Sequence, residues 1–237
     1  MKIGIFDSGL GGLLLAGAIR QALPDYDYLY LGDTKNLPYG NRSQEEIYRF
    51  THAAVSFLFQ HDCGLVIIAC NTASAEALRR IQVDFPRTLG VLIPAAEIVS
   101  APVGVLATSS TVASGAFVRE IEKLHPELPI TQVATPLLVP MIESGELENL
   151  PAVLEEYLTP IRESGCRELI LGCTHYVAIK DQIRDALPGV KIISQDEVVP
   201  EKLREYLSRH QDLELSKNGS ITYYLTTEKS GYEFVTL

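Results

Sequence analysis

Two matching segments, one in each half of the chain, restrict the fold more than any other feature. HDCGLVIIACNTAS (61–74) and SGCRELILGCTHYV (164–177) each carry a Cys, a run of apolar strand, and a second Cys seven positions after the first. Cys63 leads to Cys70 and Cys166 to Cys173. Chance seldom produces that spacing twice, so the chain reads as two related units.

The surrounding sequence follows the same plan. KIGIF (2–6), DYLYLGD (27–33) and GLVIIAC (64–70) have the length and bounding residues of buried strands. Between and after them lie helical patterns in LLLAGAIRQAL, QEEIYRFTHAAVSFLFQ (44–60) and ASAEALRRIQVDF. Ser43 with Glu46 three residues on predicts a capping box at the start of the second helix. The series then repeats: PVGVLA (102–107), a helix near 111–124, PITQVA (129–134), a helix over 151–164, RELILGC (167–173) and KDQIRDAL. Strands alternating with helices make a parallel sheet covered on both faces. The expected fold is therefore α/β, with two pseudo-symmetric lobes, each a mostly parallel sheet flanked by helices. The boundary falls between Pro94 and Pro102, giving a first lobe of residues 1–94 and 200–237 and a second of 95–199, with ITYYLTT (221–227) returning as a strand of the first. Ligands of open α/β sheets collect beyond the carboxyl ends of strands, so facing lobes would bring Cys70 and Cys173 to one cleft.

Composition removes several function classes. The net charge of −10 over 237 residues, with no cluster of Lys and Arg, argues against nucleic acid. Asp7 interrupts the first apolar run and the later ones are too short for a bilayer, so no membrane association is expected. No secretory pattern opens the chain, and the cytoplasm is the expected location. Four cysteines there are reduced thiols, to be weighed as core residues, metal ligands or nucleophiles before disulfides. A homodimer is a candidate assembly.

Polar clusters follow the strands. DSGLGG (7–12) lacks the third glycine of a dinucleotide fingerprint and the GK[ST] of a phosphate loop; it is a strand-to-helix turn, or a place where Asp7 and Ser8 orient an ammonium group or a thiol. In LGDTKNLPYGNRS (31–43), Asp33 lies just past a strand, Tyr39 offers a wall with a polar tip, and Gly40 permits close backbone approach, although Pro-Tyr-Gly is also an ordinary turn. Cys70, Asn71 and Thr72 sit at a strand-to-helix junction, where the helix dipole is expected to lower a thiol pKa. Thr108 and Thr111 in ATSSTVASG are anion-binding hydroxyls or plain helix caps. Thr174 and His175 follow Cys173, and Glu143 reads as an exposed helix-end acid with the cleft in reach. A metal site is disfavoured because C-x-x-C is missing, and a hydrolase leaves the second thiol without a task. Two opposed thiols suit proton removal on one face of a carbon and delivery on the other, since a free Cys pKa of ~8.5 needs little shift for one to be thiolate and the other thiol. No pyridoxal cue accompanies them: Lys35 is the lysine within a candidate loop, and no cofactor is expected.

FDSGLGG (6–12), GDTKNLPYG (32–40), ACNTASA (69–75), ATSSTVASG (107–115) and LGCTHY (171–176), in this order across most of the chain, resemble the glutamate racemase family. The resemblance implies a cofactor-independent racemase of two α/β lobes that makes D-glutamate for peptidoglycan. It also implies Cys70 and Cys173 as the two bases, and Asp7, Ser8, Tyr39, Gly40, Asn71, Thr72, Thr174 and His175 as substrate-binding residues, Asp7 and His175 also tuning the thiols. Asp33, Thr108, Thr111 and Glu143 match positions near the site. Departures are IISQDEVVP (192–200), where the family's Asp is absent or displaced to Asp196, Ala107-Thr108 for Gly-Thr, Phe117 for a Tyr, and a short interlobe link. An aspartate racemase and a non-catalytic amino-acid-binding module remain as alternatives.

Overall fold

The computed structural model describes residues 1–226 and the backbone of 232–235. The elements run β1 (Lys2–Asp7), α1 (Gly12–Ala22), β2 (Tyr28–Gly32), α2 (Gln44–Gln60), β3 (Cys63–Ile68), α3 (Asn71–Asp84), β4 (Thr88–Gly90) and α4 (Leu92–Glu97). They continue with β5 (Val103–Ala107), α5 (Ser109–Ser114), α6 (Ala116–Leu124), β6 (Ile130–Ala134), α7 (Leu138–Ser144), α8 (Leu150–Glu163), β7 (Glu168–Gly172), α9 (Lys180–Ala186), β8 (Lys191–Ile193), α10 (Gln195–Arg209), β9 (Ile221–Thr226) and β10 (Tyr232–Val235).

The duplication in the cysteine spacing extends to the topology. One sheet has the order β10-β9-β2-β1-β3-β4 and the other β6-β5-β7-β8. If β5 to β8 are taken as counterparts of β1 to β4, both sheets contain the order 2-1-3-4 with parallel pairing. Each sheet therefore has a central pair at which the strand order reverses, β1 with β3 and β5 with β7, and there the crevice opens at the carboxyl ends. ITYYLT joins the first sheet by pairing β9 parallel to β2, with Tyr30 opposite Tyr223; Thr227, included in the expected strand, lies outside the described residues.

Strand residues alternate between two apolar layers, which is why the strands read as continuous apolar runs. In β1, Ile3 and Ile5 enter one core and Phe6 another, and in β3, Leu65 and Ile67 oppose Val66 and Ile68 in the same way. The layer holding Ile3 and Ile67 also contains Leu92 of α4, Val105 of β5, Phe117 of α6 and Leu203 of α10, so the two sheets share one core. Separate layers cover the outer faces, around Val55 and Leu58 for the first sheet and Leu158 and Leu171 for the second.

The expected capping box forms: Ser43 Oγ accepts the Glu46 N–H, and the Glu46 carboxylate accepts the Ser43 N–H. The helix expected near 111–124 is instead two, α5 and α6, because Gly115 adopts φ +62, a left-handed conformation that stops the first helix and turns the chain. Cys63 does not precede its strand but begins it, whereas Cys166 stands two residues before β7. No helix among the described residues is long and apolar enough to cross a membrane.

Candidate active site

The carboxyl ends of both central strand pairs face one another. Ser8 after β1, Cys70 after β3, Thr108 after β5 and Cys173 after β7 all line one cleft. Asn71, Thr72, Thr174 and His175 complete the strand-end wall, and Tyr39 and Gly40 cover it from a 3₁₀ turn. Gly40 has to be small: a Cβ there would stand 3.0 Å from that of Thr108. Asp7, Asp33, Thr111 and Glu143 are not part of the lining, but each is hydrogen-bonded to a residue that is.

Cys70 caps α3, its Sγ accepting the Ala73 N–H at 3.4 Å. The expectation of a lowered thiol pKa is overturned. Burial, aided by the Asp7 carboxylate, pushes Cys70 up to about 12, against the opposing bonds from Ser8 and the Ala73 amide. A helix end supplies a partial positive charge, whereas burial removes the hydration of a whole negative one.

Cys173 has a different neighbourhood. Its Sγ lies 3.6 Å from His175 Nδ1, and Nε2 of the same ring makes a short bond with the Glu143 carboxylate. Glu143, at the end of α7, is thus drawn in behind His175 rather than left as a free surface acid. Burial opposes a charge on His175, but the bonds to Cys173 and Glu143 and the charges of Cys173 and Asp7 outweigh it and raise the imidazole to about 11. The His175 bond in turn holds Glu143 below the ordinary carboxylate range.

Asp7 is fully enclosed and accepts the Gly9 N–H at 3.0 Å and the Thr174 hydroxyl at 3.3 Å. Its pKa is raised, since burial outweighs the lowering by His175, Gly12, Gly9 and Thr174. Asp33 accepts the Tyr39 hydroxyl at 2.6 Å and that of Thr226 at 2.7 Å, holding the wall residue from behind. Thr72, Thr108 and Thr111 close a triangle of hydroxyls at 2.9, 2.9 and 3.2 Å across the two sheets. Asp196 is absent from the lining; Lys180 Nζ donates to it at 2.7 Å. Lys35 is exposed and likewise outside the lining. No group of three or more His, Cys, Asp or Glu among the described residues is arranged to hold a metal ion.

The matching strand ends, each bearing a thiol, agree with what comparison of the sequence finds: residues 14–199 match the model of the Asp/Glu/hydantoin racemases. The chain belongs to the Asp/Glu/hydantoin racemase family. Within this family its similarity is to glutamate racemases: that of Aquifex aeolicus is 36% identical over 98% of this chain and 91% of its own. The glutamate racemase of a Ruegeria species is 39% identical over 96% and 91%. Among solved structures, the Francisella tularensis glutamate racemase in complex with D-glutamate superposes with a TM-score of 0.89 at 34% identity, covering 95% of this chain and 88% of that one. An aspartate racemase of Picrophilus torridus, 16% identical with a TM-score of 0.59, shares the fold.

Several residues in and around this cleft lie outside the motifs of the sequence. Thr135 lines the cleft one position past β6, and the strand-end rule that singled out Cys70 would also have found it. Val139 and Pro140 line it from α7, with no sequence signal to mark them. Gln195 is completely buried and donates from Nε2 to Asn71 Oδ1 at 2.9 Å, in a segment where attention falls on the missing Asp.

Proposed function

We propose that the protein interconverts L- and D-glutamate by proton transfer between two thiols and the α-carbon. The observation that carries this reading is that Cys70 and Cys173, at equivalent ends of two related sheets, line one cleft. One sulfur, as thiolate, takes the α-proton and becomes a thiol. The electron pair left on carbon takes a proton from the opposite thiol, which becomes the thiolate, so that the site finishes with the two roles exchanged.

The surroundings differ in a way that suits a resting arrangement with Cys70 as the acid. Burial and Asp7 disfavour its anion, while a charged His175 is a counter-ion for negative charge on Cys173. A substrate ammonium entering beside Ser8 would add the positive charge Cys70 needs to serve as base in the reverse direction. Charge developing on the substrate carboxylate would meet the first amides of α3 and the donors of Asn71, Thr72 and Thr174. The cytoplasm is the proposed location and peptidoglycan synthesis the proposed use of the product. A homodimer is the assembly that sedimentation would check.

Incubating the protein with L-glutamate or L-aspartate and no added cofactor, and following optical rotation, tests the reading. Glutamate alone should racemise. Cys70→Ser and Cys173→Ser should each lower the rate by orders of magnitude, whereas Cys63→Ser and Cys166→Ser act through packing. In deuterated water early product should carry deuterium while remaining substrate does not. Full activity of either of the first two variants ends the proposal; faster turnover of aspartate would transfer it to that substrate, and glutamate binding without α-deuteration would make the protein a binding module.

A further inference from the structure

Gln195 leaves the carboxyl end of β8 in the second sheet and meets Asn71 at the start of α3, which belongs to the first. The two side chains are 0% and 2% exposed, and Gln195 Nε2 donates to Asn71 Oδ1 at 2.9 Å. With its oxygen occupied, Asn71 is left with Nδ2, which is buried and has no hydrogen-bond partner. A buried amide donor without a partner is costly, and Asn71 lines the cleft next to Cys70.

We infer that Gln195 is a positioning residue which, by holding Asn71 Oδ1, turns the Asn71 amide so that Nδ2 donates to a carboxylate of the bound amino acid. The inference rests on the proposed racemisation of glutamate for its ligand. A freely rotating Asn71 would offer oxygen or nitrogen to the cleft, and the oxygen would repel a carboxylate. Gln195 removes that choice with a neutral donor whose aliphatic stem packs inside the protein. The bond also joins the two sheets, so the donor is set only while the lobes are together.

The assignment of oxygen and nitrogen in the pair has an opposite version, in which Asn71 Nδ2 donates to Gln195 and its oxygen faces the cleft. Two measurements distinguish them. In the wild-type protein, the side-chain amide resonance of Asn71, assigned by its loss in Asn71→Asp, should shift on addition of D-glutamate more than other side-chain amides. In Gln195→Met, which keeps the length and removes the donor, calorimetric Kd and KM for D-glutamate should rise about tenfold. That corresponds to roughly 1.4 kcal/mol. The kcat should stay within about threefold and the melting temperature within a few degrees. A Gln195→Met protein that binds D-glutamate as tightly as the parent, or an Asn71 amide signal that does not respond to it, overturns the inference. Should that variant fail to fold, the wild-type resonance decides. A wild-type protein that neither binds nor racemises glutamate refutes the proposed function instead, whereas normal turnover with an unmoved Asn71 signal refutes only the role of Gln195.

Discussion

Gly11→Ala tests whether the placement of His175 governs the reaction. Gly11 precedes α1 with φ −58 and ψ −33, a conformation alanine adopts freely. The substitution on its own terms would stabilise the chain by about 0.4–1 kcal/mol through a less flexible unfolded state. The added Cβ, however, would lie 2.6 Å from His175 Nδ1, 2.7 Å from Cε1 and 2.9 Å from Cγ. Comfortable contact begins near 3.5 Å, so the ring has to retreat by roughly 0.9 Å. It has little freedom to do so, with Nε2 bonded to Glu143 and Nδ1 only 3.6 Å from Cys173 Sγ. Overpacking of this kind costs about 1–3 kcal/mol, partly offset by the backbone gain. Misplacing a group by about 1 Å at the chemistry is worth up to ~10²-fold in rate. Polarimetry with each enantiomer should accordingly show kcat/KM down by about 10²-fold. Calorimetric melting should fall by only a few degrees, at ~2–4 °C per kcal/mol for a chain of this size. Activity within threefold of the parent, with the variant folded, would show that the contact between His175 and Cys173 is incidental to turnover.

Two pH-dependent predictions follow from the same structure. His175 is raised from 6.5 to about 11, so its folded form keeps a proton that the unfolded chain releases; the resulting stability is complete below pH 6.5 and is lost as pH rises toward 11. Its Cε1–H resonance should not titrate between pH 6 and 8, and a midpoint near 6.5 would remove the counter-ion from the proposed mechanism. Asp27 is lowered chiefly by the hydroxyl and N–H of Ser220, bonds of 2.6 and 2.9 Å that tie the start of β2 to the approach to β9. A depressed carboxyl stabilises the fold above its unfolded value of 3.8 and loses that contribution as pH falls below it. Asp27→Asn should cost about 1.5–3 kcal/mol in urea unfolding at pH 7, and the difference from the parent should shrink at pH 3. An equal difference at both pH values would mean that the charge of Asp27 contributes nothing.

The parts of this site that local sequence could reveal are those fixed by strand endings. A strand buried on both faces must stop where polar residues begin, so Asp7, Cys70, Thr108 and Cys173 were placed within a residue or so by the apolar runs before them. The cysteine duplication relates the two sheets from sequence alone. β4 and β8 escaped because three residues are too few for a period of two to register, and α10 escaped with them because its start depends on where β8 ends. Gln195 is the consequence: it bonds a residue 124 positions away, and that meeting is set by the angle between sheets rather than by any neighbouring residue. The misjudged acidity of Cys70 has a related origin. Its position at a helix start is local and legible, but its burial is tertiary: the thiol belongs to an apolar layer with Phe6, Ile68 and Ala73, and exclusion of water there lets the Asp7 carboxylate act on it at full strength.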